Sequence, residues 1–168
     1  MISSPWSSRF LITRLILVTA PQEVKLNLAD MLRPSMQTLK HIAVKIDVDS
    51  DDVDPLLGIP SELENMRFKN IIETITIEAE VVEDAKCRTG DDWGRLDKVL
   101  TSPGWFSLKQ VSLAIMIVTD CQSRDPNDDD HNDSELEEAL RDLPGTQFTR
   151  LSSSSSNSVS FNFEVNTY

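Results

Sequence analysis

The sequence predicts an α/β protein built as a solenoid, in which parallel strands are joined by helical crossovers in about five repeats. Two observations carry this prediction. Several segments alternate apolar and polar residues, which is the period of a strand with one buried face. The segments between them place apolar residues on one helical face and end at a proline. The chain has 168 residues, enough for one domain with a real core, so residues 1–168 are taken as a single domain.

Five segments show the strand alternation. In four of them an apolar lead residue comes first, and these lead residues are Ile12, Leu39, Ile72 and Leu108, spaced 27, 33 and 36 residues apart. The fifth segment alternates in the same way at Val159, Phe161, Phe163 and Val165 but has no lead residue in register. We therefore expect strands near 10–19, 42–48, 72–81, 109–118 and 158–165.

Helices are expected between the strands. The apolar spacing places them near 22–32, 91–101 and 134–143, with Pro34, Pro103 and Pro144 at their ends, and a shorter helix is expected near Pro60–Met66. Strands joined through helices run parallel, and such crossovers are right-handed in nearly all cases. Repetition of this unit in one sense stacks the strands into a curved sheet.

The composition limits the kinds of partner. The net charge of -12 argues against duplex nucleic acid or an anionic membrane as the main partner, because both require a basic surface. A basic protein partner suits this charge better. Cys87 and Cys121 are too few for a disulfide framework and lack metal-ligand spacing. We interpret them as free thiols in a reducing compartment. The protein is therefore expected inside the cell, in the cytoplasm or nucleus.

The first 20 residues loosely resemble a signal peptide. Arg14 lies inside the apolar run, where a signal sequence is uncharged, so secretion is kept only as an alternative. No stretch reaches the 18 or more apolar residues typical of a membrane span.

Catalytic, cofactor and metal motifs are missing from the sequence. The two histidines are His41, expected at a strand surface, and His131, in an acidic loop at 120–133, and neither is spaced with a nucleophile. With five glycines and no phosphate-binding motif, we expect neither an enzyme nor a bound cofactor. The loops at 47–58 and 125–136 begin like calcium loops, but the second has Asp130 for the required glycine and Leu136 for the bidentate glutamate. Residues 152–156 read as a serine-rich link.

Three runs carry a family resemblance: "LADMLRPSMQTLKHIAVKIDV", "DDWGRLDKVLTSPGWFSLKQVSL" and "ELEEALRDLPGTQFTRLSSSSSNSVSFNFEV". They resemble the C-terminal leucine-rich-repeat-like region of F-box proteins from mushroom-forming fungi. The resemblance implies an irregular leucine-rich-repeat-like fold and a substrate-reading role. The F-box, which recruits a ubiquitin ligase core in such families, has no counterpart here. The asparagine-ladder position of standard repeats is filled by Asp47, Glu80, Met116 and Glu164.

The candidate functional surface is the exposed face of the sheet. Alternation would align Val18, Lys45, Glu78, Ala114 and Asn162 in one row, and Asp47, Glu80, Met116 and Glu164 in the next. The predicted partner-binding residues are Lys45, Asp47, Glu78, Glu80, Met116, Asn162 and Glu164. We expect them to dock a protein partner with a basic rim and an apolar anchor. The alternative is a solvated sheet face without a partner.

The first strand suggests self-association. It is apolar on both faces, with Leu15 and Leu17 on one and Ile16 and Val18 on the other, and the preceding residues lack a helical period for a cap. We expect association through residues 10–19. The competing interpretation of the whole chain is a truncated or degenerate fragment without independent function.

Overall fold

A computed structural model describes residues 14–19, 27–48, 54–82, 90–118, 137–153 and 159–168, with the backbone alone for 14–19 and 82. Its strands are β1 (Arg14–Thr19), β2 (His41–Val48), β3 (Thr74–Val82), β4 (Gln110–Val118) and β5 (Ser160–Thr167). They form one sheet in the order β1-β2-β3-β4-β5. Every neighbouring pair is parallel, which confirms the predicted pairing. Residues 10–13 lie outside the described part.

Helices connect the strands as predicted. They are α1 (Leu28–Leu32), followed by a 3-10 turn at Arg33–Ser35, then α2 (Ile59–Met66) and α3 (Asp91–Thr101). Before β5 come α4, described over 137–141, then α5 (Leu143–Thr146) and α6 (Thr149–Ser152). The parts of the predicted helices at 22–26 and 134–136 lie outside the described residues.

The three prolines do not all act alike. Pro34 lies in the 3-10 turn after α1, and Pro103 follows the end of α3, so both terminate helices as expected. Pro144 differs from the prediction: it does not end a helix but stands in the first turn of α5, after α4 has ended at residue 141. A proline is tolerated there since the first amides of a helix have no intrahelical acceptor.

The core lies between the sheet and the helices. The lead residues Leu39, Ile72 and Leu108 are buried, as are the inward residues of β2, β3 and β4. From the helix side, Trp93 of α3 is fully buried and meets the ring of Phe148 edge-on at 6.1 Å. This confirms the inward face that the alternation predicts.

The register of β5 differs from the prediction by two residues. Phe161 pairs with Val111 and Phe163 with Leu113, whereas aligning the two segments from their first alternating residues would place Val159 beside Val111. Val159 instead precedes the strand, where the amide of Ser160 donates to the carbonyl of Lys109 at 2.8 Å. The missing lead residue is the reason, since nothing in the sequence fixed where the fifth alternation should begin.

Two buried polar side chains hold the connections in place. Asn70 donates to the carbonyl of Met66 at the end of α2 and accepts the amide of Ile72. Asp97 of α3 accepts the amides of Leu151 at 2.8 Å and Arg150 at 3.3 Å, and so ties α6 to α3. Burial raises the pKa of Asp97.

Candidate functional site

The open face is the side of the sheet that points away from the core, formed by every second residue of the strands. None of its described side chains is buried. The seven predicted binding residues all lie on it, so the structure brings them to one surface. In the order of the strands they are Lys45 and Asp47 on β2, Glu78 and Glu80 on β3, Met116 on β4, and Asn162 and Glu164 on β5.

The predicted rows need one correction on β5. Ala114 pairs with Glu164, and Met116 with Asn166, so Glu164 belongs to the row of Lys45 and Glu78. Asn162 moves one row back, beside Ser112. The face of both residues is unchanged, because a shift of two residues keeps the direction of every side chain.

Lys45 is held by two carboxylates of the open face. Its ammonium nitrogen lies 3.0 Å from Oε2 of Glu80 on the neighbouring strand and 3.6 Å from Oδ1 of Asp47. Although the Asp47 side chain as a whole is not buried, this one oxygen is, and it has no hydrogen-bond partner. The ion pair with Lys45 is therefore its only polar contact among the described residues. The hydrogen bond from Lys45 to Glu80, together with the charge of Asp47, raises the pKa of Lys45.

Two further carboxylates on this face have no cationic partner among the described residues. Glu78 stands directly opposite Lys45 in the register, yet Lys45 turns diagonally to Glu80. Glu164 accepts a hydrogen bond from the amide of Asn162 at 2.9 Å, which leaves its charge in place. Ala114 and Met116 of β4 form an apolar strip between β3 and β5. Glu78 and Glu80 border it on β3, and Glu164 and Asn166 border it on β5.

A ladder of three charged residues lies at the amino end of the sheet. Lys40, Glu73 and Lys109 each come directly before a strand, and the two ammonium groups lie 2.7 and 2.6 Å from the carboxylate oxygens of Glu73. Hydrogen bonds from Lys109 and Lys40 lower the pKa of Glu73 to about 2. The sequence reasoning missed this ladder. Its signal was present, because the residue after each of the lead residues Leu39, Ile72 and Leu108 is Lys, Glu and Lys.

The ladder should make stability depend on pH. The pKa of Glu73 is lower in the folded protein (about 2) than its ordinary 4.5, so its contribution is present above 4.5 and is lost as the pH falls through about 2. Glu73→Gln should therefore flatten the fall of the unfolding free energy over this window, measured by denaturant titration at successive pH values. Burial raises the pKa of Asp54 and Asp97, so these two act in the opposite sense and favour the folded state at the acid end.

Glu138→Gln is the matched control for the ladder experiment. Glu138 is exposed on α4 and has no ion pair among the described residues. In this variant the unfolding free energy should therefore change with pH as it does in the parent protein. An equal flattening in both variants would show that the effect comes from net charge and not from the ladder.

A second exposed feature, the aromatic ledge, consists of Phe68 before β3 and Phe106 before β4. The rings lie 6.2 Å apart, and the two residues are 61% and 78% exposed. The backbone of Phe68 has φ 64°, a left-handed conformation that costs a bulky residue about 1–3 kcal/mol. The guanidinium of Arg67 lies 5.1 Å from the Phe68 ring centroid.

The connection between α3 and β4 holds the ledge in this conformation. The amide of Phe68 donates to the carbonyl of Gly104 at 3.0 Å, and Arg67 donates twice to the carbonyl of Pro103. Gly104 has φ 115°, and a Cβ there would lie 3.1 Å from the Phe68 nitrogen. Beside the ledge, a groove of about 780 Å³ separates Phe68 from α1 and its 3-10 turn. The only sequence signal for the aromatic ledge is the glycine at position 104, and the sequence analysis did not predict the ledge.

The described part of the chain gives little support to the other sites considered from the sequence. Within it, no three His, Cys, Asp or Glu residues are grouped to hold a metal ion, and no helix has the length and apolar character to cross a membrane. His41 is exposed, as expected. His131, both cysteines and the loop at 125–136 lie outside the described residues, as does most of the Ser-rich link.

Comparison with known proteins gives no further guide to the site. No protein-family model, no curated protein and no solved structure matches the chain significantly.

Proposed function

We propose that this chain is a non-catalytic protein-interaction module, and that its open face docks a partner segment with an apolar anchor between basic residues. The observation that carries the proposal is the strip of Ala114 and Met116 bordered by carboxylates on both neighbouring strands. Adjacent strands lie about 4.8 Å apart, so β3 and β5 border a strip about 10 Å wide. One extended segment or one face of a helix fits this width.

The charges favour a basic partner. The seven candidate residues carry four carboxylates and one ammonium group, and that ammonium group is already engaged by Glu80 and Asp47. Glu78 and Glu164 therefore remain to pair with lysine or arginine side chains of the partner. Such charges mainly set orientation and association rate, while the buried anchor contributes most of the affinity.

The wider proposal concerns the architecture and biological role. We infer a leucine-rich-repeat-like solenoid of about five units, because strand order follows chain order and every pair is parallel. Such a module would correspond to the substrate-reading region of the fungal F-box proteins that the sequence resembles. We place it in the cytoplasm or nucleus, where its thiols stay reduced.

A synthetic peptide with a central leucine flanked by lysines tests the open face. We expect it to bind the purified protein with an affinity that falls as salt rises, followed by fluorescence anisotropy. Glu78→Lys should weaken binding at least about tenfold at low salt, because a carboxylate with no cationic partner among the described residues is replaced by an ammonium group that repels the lysines of the peptide. Met116→Gln should weaken it about fivefold and leave the salt dependence unchanged.

Glu138→Lys is the control for the peptide experiment. It alters the net charge by the same amount as Glu78→Lys but lies on α4, in the helical layer, and so should leave binding within about twofold of the parent protein. Equal losses of peptide affinity in Glu78→Lys and Glu138→Lys would show that overall charge causes the effect. If Met116→Gln and Glu78→Lys, tested as separate variants, both bind the peptide as tightly as the parent protein, the open face is excluded as the docking surface.

A further inference from the structure

The free edge of β5 offers backbone hydrogen bonds that the described residues do not use. On its other side the strand pairs with β4, where the amides of Ser160 and Tyr168 donate to the carbonyls of Lys109 and Ile117. Since strand residues alternate in direction, residues 161, 163, 165 and 167 present their N–H and C=O groups to the free side. A free edge of this length is a template for another strand.

The inward side chains of β5 are incompletely covered. Phe161, Phe163 and Val165 are only partly buried, whereas their register partners Val111, Leu113 and Ile115 on β4 are buried. A groove of about 550 Å³ lies beside them, lined in part by Pro144, Leu151 and Val159. An apolar row next to an unpaired edge would gain further burial from an added strand that continues the row.

We propose that two copies of this chain associate through β5, antiparallel, with Phe163 of each copy on the two-fold axis. In this register Phe161 lies opposite Val165 of the second copy, and both have outward N–H and C=O groups, so they exchange hydrogen bonds as an antiparallel pair requires. On the open face Asn162 lies opposite Glu164 of the second copy. The edge is therefore self-complementary, as a two-fold contact must be.

Charge and strand length select this register over its two neighbours. A shift that centres the axis on Glu164 would bring two carboxylates face to face in a close pair, which is destabilising. A shift that centres it on Asn162 leaves the end of β5 unpaired. The chosen register places an amide donor opposite each carboxylate, and Asn162 already donates to Glu164 within one chain.

The proposed dimer would have a geometric consequence for binding. A two-fold axis at the centre of an antiparallel strand pair is perpendicular to the sheet, so the open faces of both copies lie on the same side. The dimer would present two docking surfaces side by side, and a partner with two matching segments would bind with avidity.

Cysteine pairs test the register. In a full chain with Cys87 and Cys121 replaced by serine, Asn162→Cys with Glu164→Cys should give a disulfide-linked dimer, because directly opposite residues outside the hydrogen-bonded pairs have Cα atoms about 4.5 Å apart. Each substitution alone should give no linked dimer. The matched control is Ser112→Cys with Ala114→Cys, at the same register positions on interior strand β4, and it should stay monomeric on a non-reducing gel.

Charge variants test the contact in solution, by sedimentation equilibrium of the otherwise unmodified chain. Asn162→Glu places like charges opposite each other at two symmetric positions and should raise the dimer dissociation constant about fivefold, while Asn162→Lys should lower it. Ser112→Glu on β4 should leave it unchanged. Efficient linking by Glu164→Cys alone would overturn the register. A parent chain that stays monomeric at high concentration, or a dimer that Ile16→Lys abolishes, would overturn the proposal.

Discussion

Replacing Leu113 by alanine is expected to lower the free energy of unfolding by about 2–5 kcal/mol. Leu113 is 1% exposed in the middle of β4, with Ile77 beside it on β3 and Phe163 on β5. Removing its side chain leaves a cavity that three strands cannot close without breaking their hydrogen bonds. Chemical denaturation followed by circular dichroism measures the loss.

Ala114→Ser is the matched control for Leu113. It is the next residue on the same strand, lies on the open face and is half-buried, so its cost should stay under about 0.5 kcal/mol. Similar losses in the two variants would contradict the assignment of the inner and open faces. The burial of Ile75 and Ile77 on β3 supports the same assignment from the neighbouring strand.

The second large effect is expected at Asp97. Asp97→Ala should cost about 1–3 kcal/mol, because it leaves the amides of Leu151 and Arg150 without their carboxylate acceptor at the start of α6. Asp97→Asn should cost less, since its amide oxygen can still accept from Leu151. Thermal unfolding of the parent protein, Asp97→Asn and Asp97→Ala gives the order of their stabilities.

The pH dependence of this effect separates charge from hydrogen bonding. Burial raises the pKa of Asp97, so the ionised carboxylate carries a desolvation cost that the neutral asparagine avoids. The stability gap between parent and Asp97→Asn should therefore change as the pH passes through the titration of Asp97. A gap that stays constant across that range would show that the charge of Asp97 has no net effect on stability.

Much of the fold could be predicted because each element has a local period. Alternation located β2, β3 and β4 and their buried faces, and the apolar helical stripe located α3 through Trp93, Leu96, Val99 and Leu100. These signals depend on neighbouring residues alone. The register of β5 depends on how a long connection closes, and the sequence between residues 119 and 159 holds no lead residue that would set it.

The candidate surface was predictable as a face and less so in its detail. Alternation assigns Glu78 and Met116 to the open side, but not the diagonal turn of Lys45 toward Glu80. Asp97 is the clearest failure of local reasoning, since a charged residue beside Leu96 gives no hint of amides 53 and 54 residues away. The left-handed Phe68 depends likewise on the carbonyl of Gly104 in another connection.

The agreement between strand order and chain order bears on how such a protein can change in length. Each described strand is hydrogen-bonded only to the strands that precede and follow it in the chain. Duplicating or deleting one strand together with its helix would therefore leave every other partnership intact, apart from one new junction. The breadth of the sheet, and with it the area offered to a partner, could grow or shrink in whole units by tandem copying of a gene segment.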